Sequence, residues 1–183
     1  MAATARAGVT DQAGGVPAVD RHAWFDAMAR DYEEAAFRLA LWLVRDRATA
    51  EDLVQDALVR LWGSRNLPGE DAAFRNWLLR TVGNLALDHI RRGRVMARLR
   101  FWEESRPDPF AQVEDRLGHP KLQRALAALA PRERRLVYLA CVDGLPHAVT
   151  AAIIGTSEGN VRVLLHRTLG KLRTHLDEVD AHE

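Results

Sequence analysis

Asp52, Gln55 and Asp56 stand at i, i+3 and i+4 in the stretch A-E-D-L-V-Q-D-A-L-V-R-L-W, Ala50–Trp62. On a helix that spacing gathers two carboxylates and an amide on one patch, rich in acceptors for a partner's cations or amides. It also suits a plain solvated face, since acids favour the positive end of any helix. A second set, Arg80, Asn84, Asp88 and Arg91, recurs at helical spacing in F-R-N-W-L-L-R-T-V-G-N-L-A-L-D-H-I-R-R, Phe74–Arg92. An amide on such a face can read a base edge while neighbouring guanidiniums meet phosphates. The basic cluster Arg91, Arg92, Arg94, Arg98 and Arg100 follows, with Asp88 the only acid from Asp88 to Arg100. It fits salt-dependent phosphate contact, or equally a solvated helix end whose cations complement the dipole. A third set, Ser157, Glu158, Asn160, Arg162, Val163, His166 and Arg167, opens a helix just after a Gly155-Thr156 turn. A short helix, a turn and a second helix is the arrangement in which N-terminal residues of the second helix enter the major groove.

Other chemistries find no support. No spacing brings together a nucleophile, a base and an orienting group, and there is no glycine-rich phosphate loop, so no catalytic residue and no cofactor are expected. The seven His show no H-x-E, H-E-x-x-H or His-Cys pattern, and Cys141 is the single cysteine, which predicts no metal site and no internal disulfide and points to a reducing, cytoplasmic setting. The net charge of +1 means that nucleic-acid binding must come from local clusters. Of the 26 cationic side chains only Lys121 and Lys171 are lysine, a preference that suits bidentate contacts or reflects a GC-rich genome. No apolar signal region or membrane-length stretch occurs, so neither export nor membrane insertion is expected.

The elements that must position these residues are helical throughout. Residues 1–20 lack periodicity and read as a mobile tail. Trp24, Phe25, Met28, Tyr32, Ala35, Ala36, Leu39 and Leu43 define a first helix to about Val44. Val54, Ala57, Leu58, Leu61 and Trp62 define the core stripe of the second, with Thr49 as N-cap and Asp52 completing a capping-box-like start. Residues 63–73 form a loop turning at Pro68-Gly69. In the third helix Phe74, Trp77, Leu78, Thr81, Val82, Leu85 and His89 form the buried stripe, and Gly83 inside it hints at close approach of another backbone. Glu103, Glu104, Asp108, Glu114 and Asp115, with Pro107, Pro109 and Pro120, mark an acidic linker. Beyond it Leu122, Leu126 and Leu129 share a face, and Pro131 opens a helix burying Leu136, Val137, Leu139, Ala140 and Cys141. Gly144 caps it, and a short helix over 146–153 leads to the Ser157 N-cap of a helix of about twenty residues. The fold class is therefore all-α: two small helical domains, 21–98 and 121–178, joined by an acidic linker at 99–120, the second containing the helix-turn-helix.

The order A-E-D-L-V-Q-D followed by L-W resembles region 2 of the extracytoplasmic-function sigma factors, bacterial transcription initiation subunits. W-L-x-R-x-x-x-N-x-x-x-D-x-x-R-R is a second resemblance to that region. L-x-P-R-E-R, G-L at 144–145, G-x-S-x-G-x-V at 155–161, H-R at 166–167 and K-L-R at 171–173 resemble region 4, so the likeness covers roughly residues 24–176. It implies that Asp52, Leu53, Gln55 and Asp56 contact the beta-prime clamp of core RNA polymerase. On the −10 side of promoter DNA it implicates Trp77, Arg80, Asn84, Asp88, Arg91 and Arg92, with Ser64, Arg65 and Asn66 in a loop that captures an unstacked base. On the −35 side it implicates Ser157, Glu158, Asn160, Arg162, Val163, His166 and Arg167. An anti-sigma factor is the further partner implied, and the linker is expected to thread the polymerase channels. Two positions depart from the family: Val149 and Leu164 stand where a Glu and an Arg are usual, which suggests a coupled apolar replacement. Pro146 also replaces a Ser cap. Alternatives are a sigma-like mimic that sequesters an anti-sigma factor, or a stand-alone helix-turn-helix regulator.

Overall fold

The computed structural model describes residues 21–65, 67–99 and 120–180, and every regular element among them is a helix. The expected tail at 1–20, Asn66, the linker over 100–119 and the side chains of Arg94, Arg98 and Arg100 lie outside the described residues. Helices α1 (Arg21–Val44), α2 (Arg47–Trp62) and α3 (Asp71–Leu99) pack on one another. Helix α4 (Pro120–Ala128) precedes α5 (Pro131–Val137), which runs on as a π-helical turn over Tyr138–Val142. Helices α6 (His147–Ile154) and α7 (Glu158–Asp180) complete the helix-turn-helix.

The first three helices meet through the apolar stripes read from their periodicity. Leu39, Leu43, Val54, Leu61, Phe74, Leu78 and Val82 are almost completely buried. Aromatic edges close one end of this core: Phe25 stands edge-on to Trp62 and Phe74, at centroid distances of 5.2 and 5.6 Å, and Trp24 edge-on to Phe74 at 5.5 Å. Arg21 lies over the Trp62 ring and donates to the Trp62 carbonyl at 2.8 Å, satisfying an orphan acceptor at the end of α2. His89, expected in the α3 stripe, is exposed instead, while Leu79 and Ala86 are buried. The helix therefore buries a stripe displaced toward Leu79, whose neighbour in space comes from the second half of the chain.

Helix α2 starts earlier than expected. Asp46, with extended backbone at φ −125°, is the N-cap, and its carboxylate accepts from the Thr49 N–H at 2.8 Å. Thr49 is thus the third residue of the helix, contributing its backbone N–H and not its hydroxyl. The pattern D-x-x-T satisfies the same orphan donors that T-x-x-D was expected to serve.

The second half has two small clusters of its own, Leu126, Leu129 and Val137 on one side and Leu136, Ala151 and Val161 on the other. Tyr138, Leu139, Leu145 and Ile153 instead join the core built by α1, α2 and α3. Trp42 of α1 donates from its indole N–H to the Arg134 carbonyl at 3.1 Å, and its ring meets Tyr138 at 5.6 Å. The two halves expected from the sequence therefore share one hydrophobic core. Cys141, expected inside, is exposed, because the π turn carries it to the outer side; what burial it has raises its thiol pKa.

Replacing Asp46 by Ala should lower stability by about 1 kcal/mol, whereas Thr49→Ala should cost less than half of that. Thermal or denaturant unfolding of the two variants checks it, and a larger loss from Thr49→Ala would reverse the assignment of the cap. The hydrogen bond to Thr49 holds the Asp46 carboxyl below its ordinary value in the folded chain. Its contribution is complete above the ordinary aspartate range and is lost as pH falls through the lowered folded value.

Candidate nucleic-acid interface

Helix α2 presents Asp52, Gln55 and Asp56 to solvent. Leu53 does not belong to that face: it is buried at 6% exposure, within the core beneath it. Its position one residue on from Asp52 turns its side chain about 100° away on the helix, toward the core. Sequence reasoning missed Val59, which is 70% exposed and lies one turn beyond Gln55 and Asp56 on the same face. Its i+3 and i+4 relation to them was the available signal. An exposed valine bordered by carboxylates and an amide is a small apolar anchor with a polar rim, the anatomy of a protein contact.

Helix α3 carries the second set, and the structure divides it. Trp77 is half-buried against the main core, so only part of its ring faces outward. Asp88, Arg91 and Arg92 are exposed, with Arg91 paired to Asp88 at 3.3 Å in a solvent-screened bridge worth little to stability. Asn84 and Arg80, one and two turns earlier, are exposed as well, and groups of the second half of the chain hydrogen-bond to them. Arg80 donates from Nη2 to the Ala152 carbonyl and from Nε to the Ile153 carbonyl at 3.3 Å. Asn84 Oδ1 accepts from Arg135 Nη1 at 2.9 Å.

Arg135 was missed as a functional residue. It is 4% exposed, and its Nη2 donates to the carbonyls of Arg80 at 3.2 Å and Ile153 at 3.3 Å, with Leu79 at 3.5 Å. Burial foremost, then the neighbouring Arg80 charge, pulls its pKa down to about 10, so it remains protonated at neutral pH. Gly83 explains how a guanidinium reaches that place. A Cβ at position 83 would stand 2.7 Å from Arg135 Nη2 and closer still to Nε and Cζ. The close approach expected at this glycine is thus made by a side chain, not by a backbone. Arg75 adds an ion pair across the same boundary, with Asp143 at 3.2 Å.

The acceptors for these arginines come from the end of α6. Gly155 takes a left-handed conformation at φ 77°, and its N–H and that of Thr156 both return to the Ala151 carbonyl, at 2.9 and 3.0 Å. The carbonyls of Ala152 and Ile153 are left without helical donors, at the negative end of the helix dipole. Two guanidiniums fill that need.

On α7, Ser157 accepts from the Asn160 N–H at 3.2 Å, the N-cap expected of it. Glu158, Asn160, Arg162, Val163, His166 and Arg167 are exposed along one flank, while Val161 and Thr168 are buried against α5 and α6. Local bonds hold part of this row: Glu158 pairs with Arg162 at 2.9 Å and the Asn160 amide donates to Thr156 Oγ1 at 2.7 Å. Val149 packs against the main core, whereas Leu164 is 36% exposed. Leu164, Arg167, Lys171, Arg132, Arg135 and Asn84 line a groove of about 640 Å³ between α7, α5 and α3. Glu133 binds Lys171 and accepts from the Ala130 N–H at 2.9 Å; its burial opposes ionisation, but these bonds keep its pKa below the ordinary value. Among the described residues no cluster of three or more His, Cys, Asp or Glu could hold a metal ion, and no helix is long and apolar enough to cross a membrane.

Comparison with known proteins agrees with this layout. Sigma-70 region 2 matches residues 28–95 and Sigma-70, region 4 matches residues 119–172. The ECF RNA polymerase sigma factor SigE of Mycolicibacterium smegmatis is 32% identical over 83% of this chain, which spans 61% of that relative's length. The RNA polymerase sigma-E factor of Streptomyces antibioticus is 30% identical over 85% of this chain and 86% of its own, and SigM of Mycobacterium tuberculosis is 34% identical over 85% and 81%. Among solved structures, the sigma factor RpoE of Bartonella quintana, in complex with the anti-sigma factor NepR, superposes with a TM-score of 0.59 at 25% identity, over 84% of this chain and 96% of that one. The chain belongs to the extracytoplasmic-function sigma factors of the sigma-70 family.

Proposed function

We propose that this chain binds core RNA polymerase through the solvent-facing side of α2, directs it to a two-part promoter through α3 and α7, and is held idle by an anti-sigma factor. The observation that carries the reading is the presence, on one small helical unit, of two unlike faces: an acidic, Val59-anchored one and an amide-and-arginine one. A stand-alone helix-turn-helix regulator would need neither. The side of α3 at Asn84 reads a base edge of the melted −10 element, and Asp88, Arg91 and Arg92 flank it; the exposed flank of α7 meets the −35 element in the major groove. Protein chemistry of this kind requires no catalytic group and no cofactor, and it takes place where the polymerase is, in the cytoplasm. Val163 and Leu164 supply apolar surface for the anti-sigma partner beside the DNA-facing residues, so that inhibitor and promoter compete for α7.

The division of labour on α2 is tested by pairing surface and core variants. Asp52→Ala/Gln55→Ala should change stability by less than about 1 kcal/mol yet weaken binding to core polymerase, and Val59→Asp should do the same. Leu53→Ala should cost about 2 to 4 kcal/mol of stability. Calorimetry with polymerase titration reads both quantities; normal core binding by the double variant and by Val59→Asp would remove α2 from the interface.

The DNA-facing residues are separated by salt and sequence. In the assembled holoenzyme, Asn84→Ala should relax preference at one promoter position. Arg91→Ala/Arg92→Ala should weaken every promoter alike and flatten the salt dependence. Promoter-variant transcription across a salt series distinguishes them, and uniform losses from both would end the assignment of Asn84 to a base.

A further inference from the structure

The groove between α3, α5 and α7 joins features that neither the core nor the DNA-facing flanks account for. Its volume of about 640 Å³ lies within the range of small-molecule sites. Four cations line it, Arg132, Arg135, Arg167 and Lys171, against one carboxylate, Glu133. That carboxylate is already engaged, by Lys171 and by the Ala130 N–H. The whole chain has a net charge of only +1, so this concentration of positive charge is local. Between the cations the lining is apolar, from Leu87, Leu136, Ile154 and Leu164. We infer that the groove binds a nucleoside polyphosphate, its phosphates on the exposed Arg132, Arg167 and Lys171 and its base against the leucines and Ile154. The inference goes beyond the promoter reading and does not depend on it.

Arg135 distinguishes this groove from an ordinary basic surface. It is 4% exposed, and among the described residues it has no carboxylate partner; its contacts are neutral oxygens. A buried cation in that state is costly, and burial accordingly lowers its pKa to about 10. An anion in the groove supplies the missing counter-charge, in surroundings where a charge-assisted hydrogen bond is stronger than in water. A guanidinium carries five N–H donors, and Arg135 Nη1 gives one of its two to Asn84, which lines the same groove. Several cations around one cleft call for a compact group with several negative charges, and arginine forks match phosphate oxygens two at a time. The apolar lining suits the flat face of a base, and the Thr156 and Thr168 hydroxyls with the Asn84 amide offer partners for its edge and for a ribose. Duplex phosphates fit less well. They lie on a convex surface and meet exposed side chains such as those on the outer flank of α7, whereas Arg135 is sunk between helices. Asn84 and Arg167 belong to both the groove and the DNA-facing sets, so nucleotide and promoter compete for them.

The test is isothermal titration calorimetry of the full-length chain with ATP, GTP and inorganic tripolyphosphate at physiological salt without magnesium. Three variants accompany the parent: Arg132→Ala/Lys171→Ala, which removes two of the phosphate partners; Leu164→Trp, which narrows the groove; and Arg91→Ala/Arg92→Ala, which removes cations outside it. All five positions are exposed, and far-UV circular dichroism with thermal melting verifies that each variant folds. The expected result is saturable binding of ATP or GTP at one per chain, with tripolyphosphate at least about tenfold weaker. Arg132→Ala/Lys171→Ala and Leu164→Trp should each weaken the nucleotide at least about fivefold, whereas Arg91→Ala/Arg92→Ala should leave it within about twofold of the parent. Should Leu164→Trp melt early, the Arg132→Ala/Lys171→Ala variant carries the comparison. No saturable binding of either nucleotide would overturn the proposal. So would tripolyphosphate binding as tightly as the nucleotides, since the apolar lining would then contribute nothing, and so would binding that survives the groove variants or is lost with Arg91→Ala/Arg92→Ala.

Discussion

Two backbone carbonyls at the end of α6, those of Ala152 and Ile153, determine how the halves of this protein meet. Every α-helix ends with carbonyls that have no helical donor, and here the left-handed turn at Gly155 satisfies only the Ala151 carbonyl with backbone N–H groups. The next two carbonyls receive guanidiniums, Arg80 from α3 and Arg135 from α5. One interaction thus caps the first helix of the helix-turn-helix and tethers it to the first half.

A buried arginine without a carboxylate partner is costly, since the effective penalty is several kcal/mol per ion before hydrogen bonds are formed. Arg135 offsets that cost with oxygens from Asn84, Leu79, Arg80 and Ile153, two elements contributing from opposite sides. Its lowered pKa, about 10, records the part that is not offset. That part is present at neutral pH and would fade only as pH rose through that value, because lowering a cation's pKa on folding means that the charged form is disfavoured there. A contact of this kind is strong enough to order the structure yet retains a destabilised charge.

Much of the fold was legible because helical periodicity reports burial directly. The stripes of α1 and α2, most of that of α3, the Ser157 cap and the turn at Gly155 are all carried by local spacing. What was not legible depended on contacts distant in the chain. Gly83 signalled a close approach, but nothing local said that Arg135, many residues away, would fill it. Leu53 sits inside a motif of exposed residues, and a motif does not distinguish the side chains that touch a partner from those that support them. His89 and Cys141 were assigned inward by extending a regular period; α3 rotates its stripe toward Leu79 where the second half packs, and a π turn interrupts the period before Cys141. Val59 stands outside the core stripe of α2, and its place shows only once the face it shares with Gln55 and Asp56 is built.

The family's general function follows from the matches to regions 2 and 4, whereas the packing of the second half on the first is particular to how these residues meet. The most direct measurement of that arrangement is the distance between two spin labels in the free chain, one on the exposed native Cys141 and one on a cysteine replacing exposed Arg60 in α2. A chain packed in this way gives a single narrow distribution that lengthens and broadens when core polymerase and promoter DNA are added. A broad, long distribution in the free chain, unaltered by Gly83→Ala, would contradict the account.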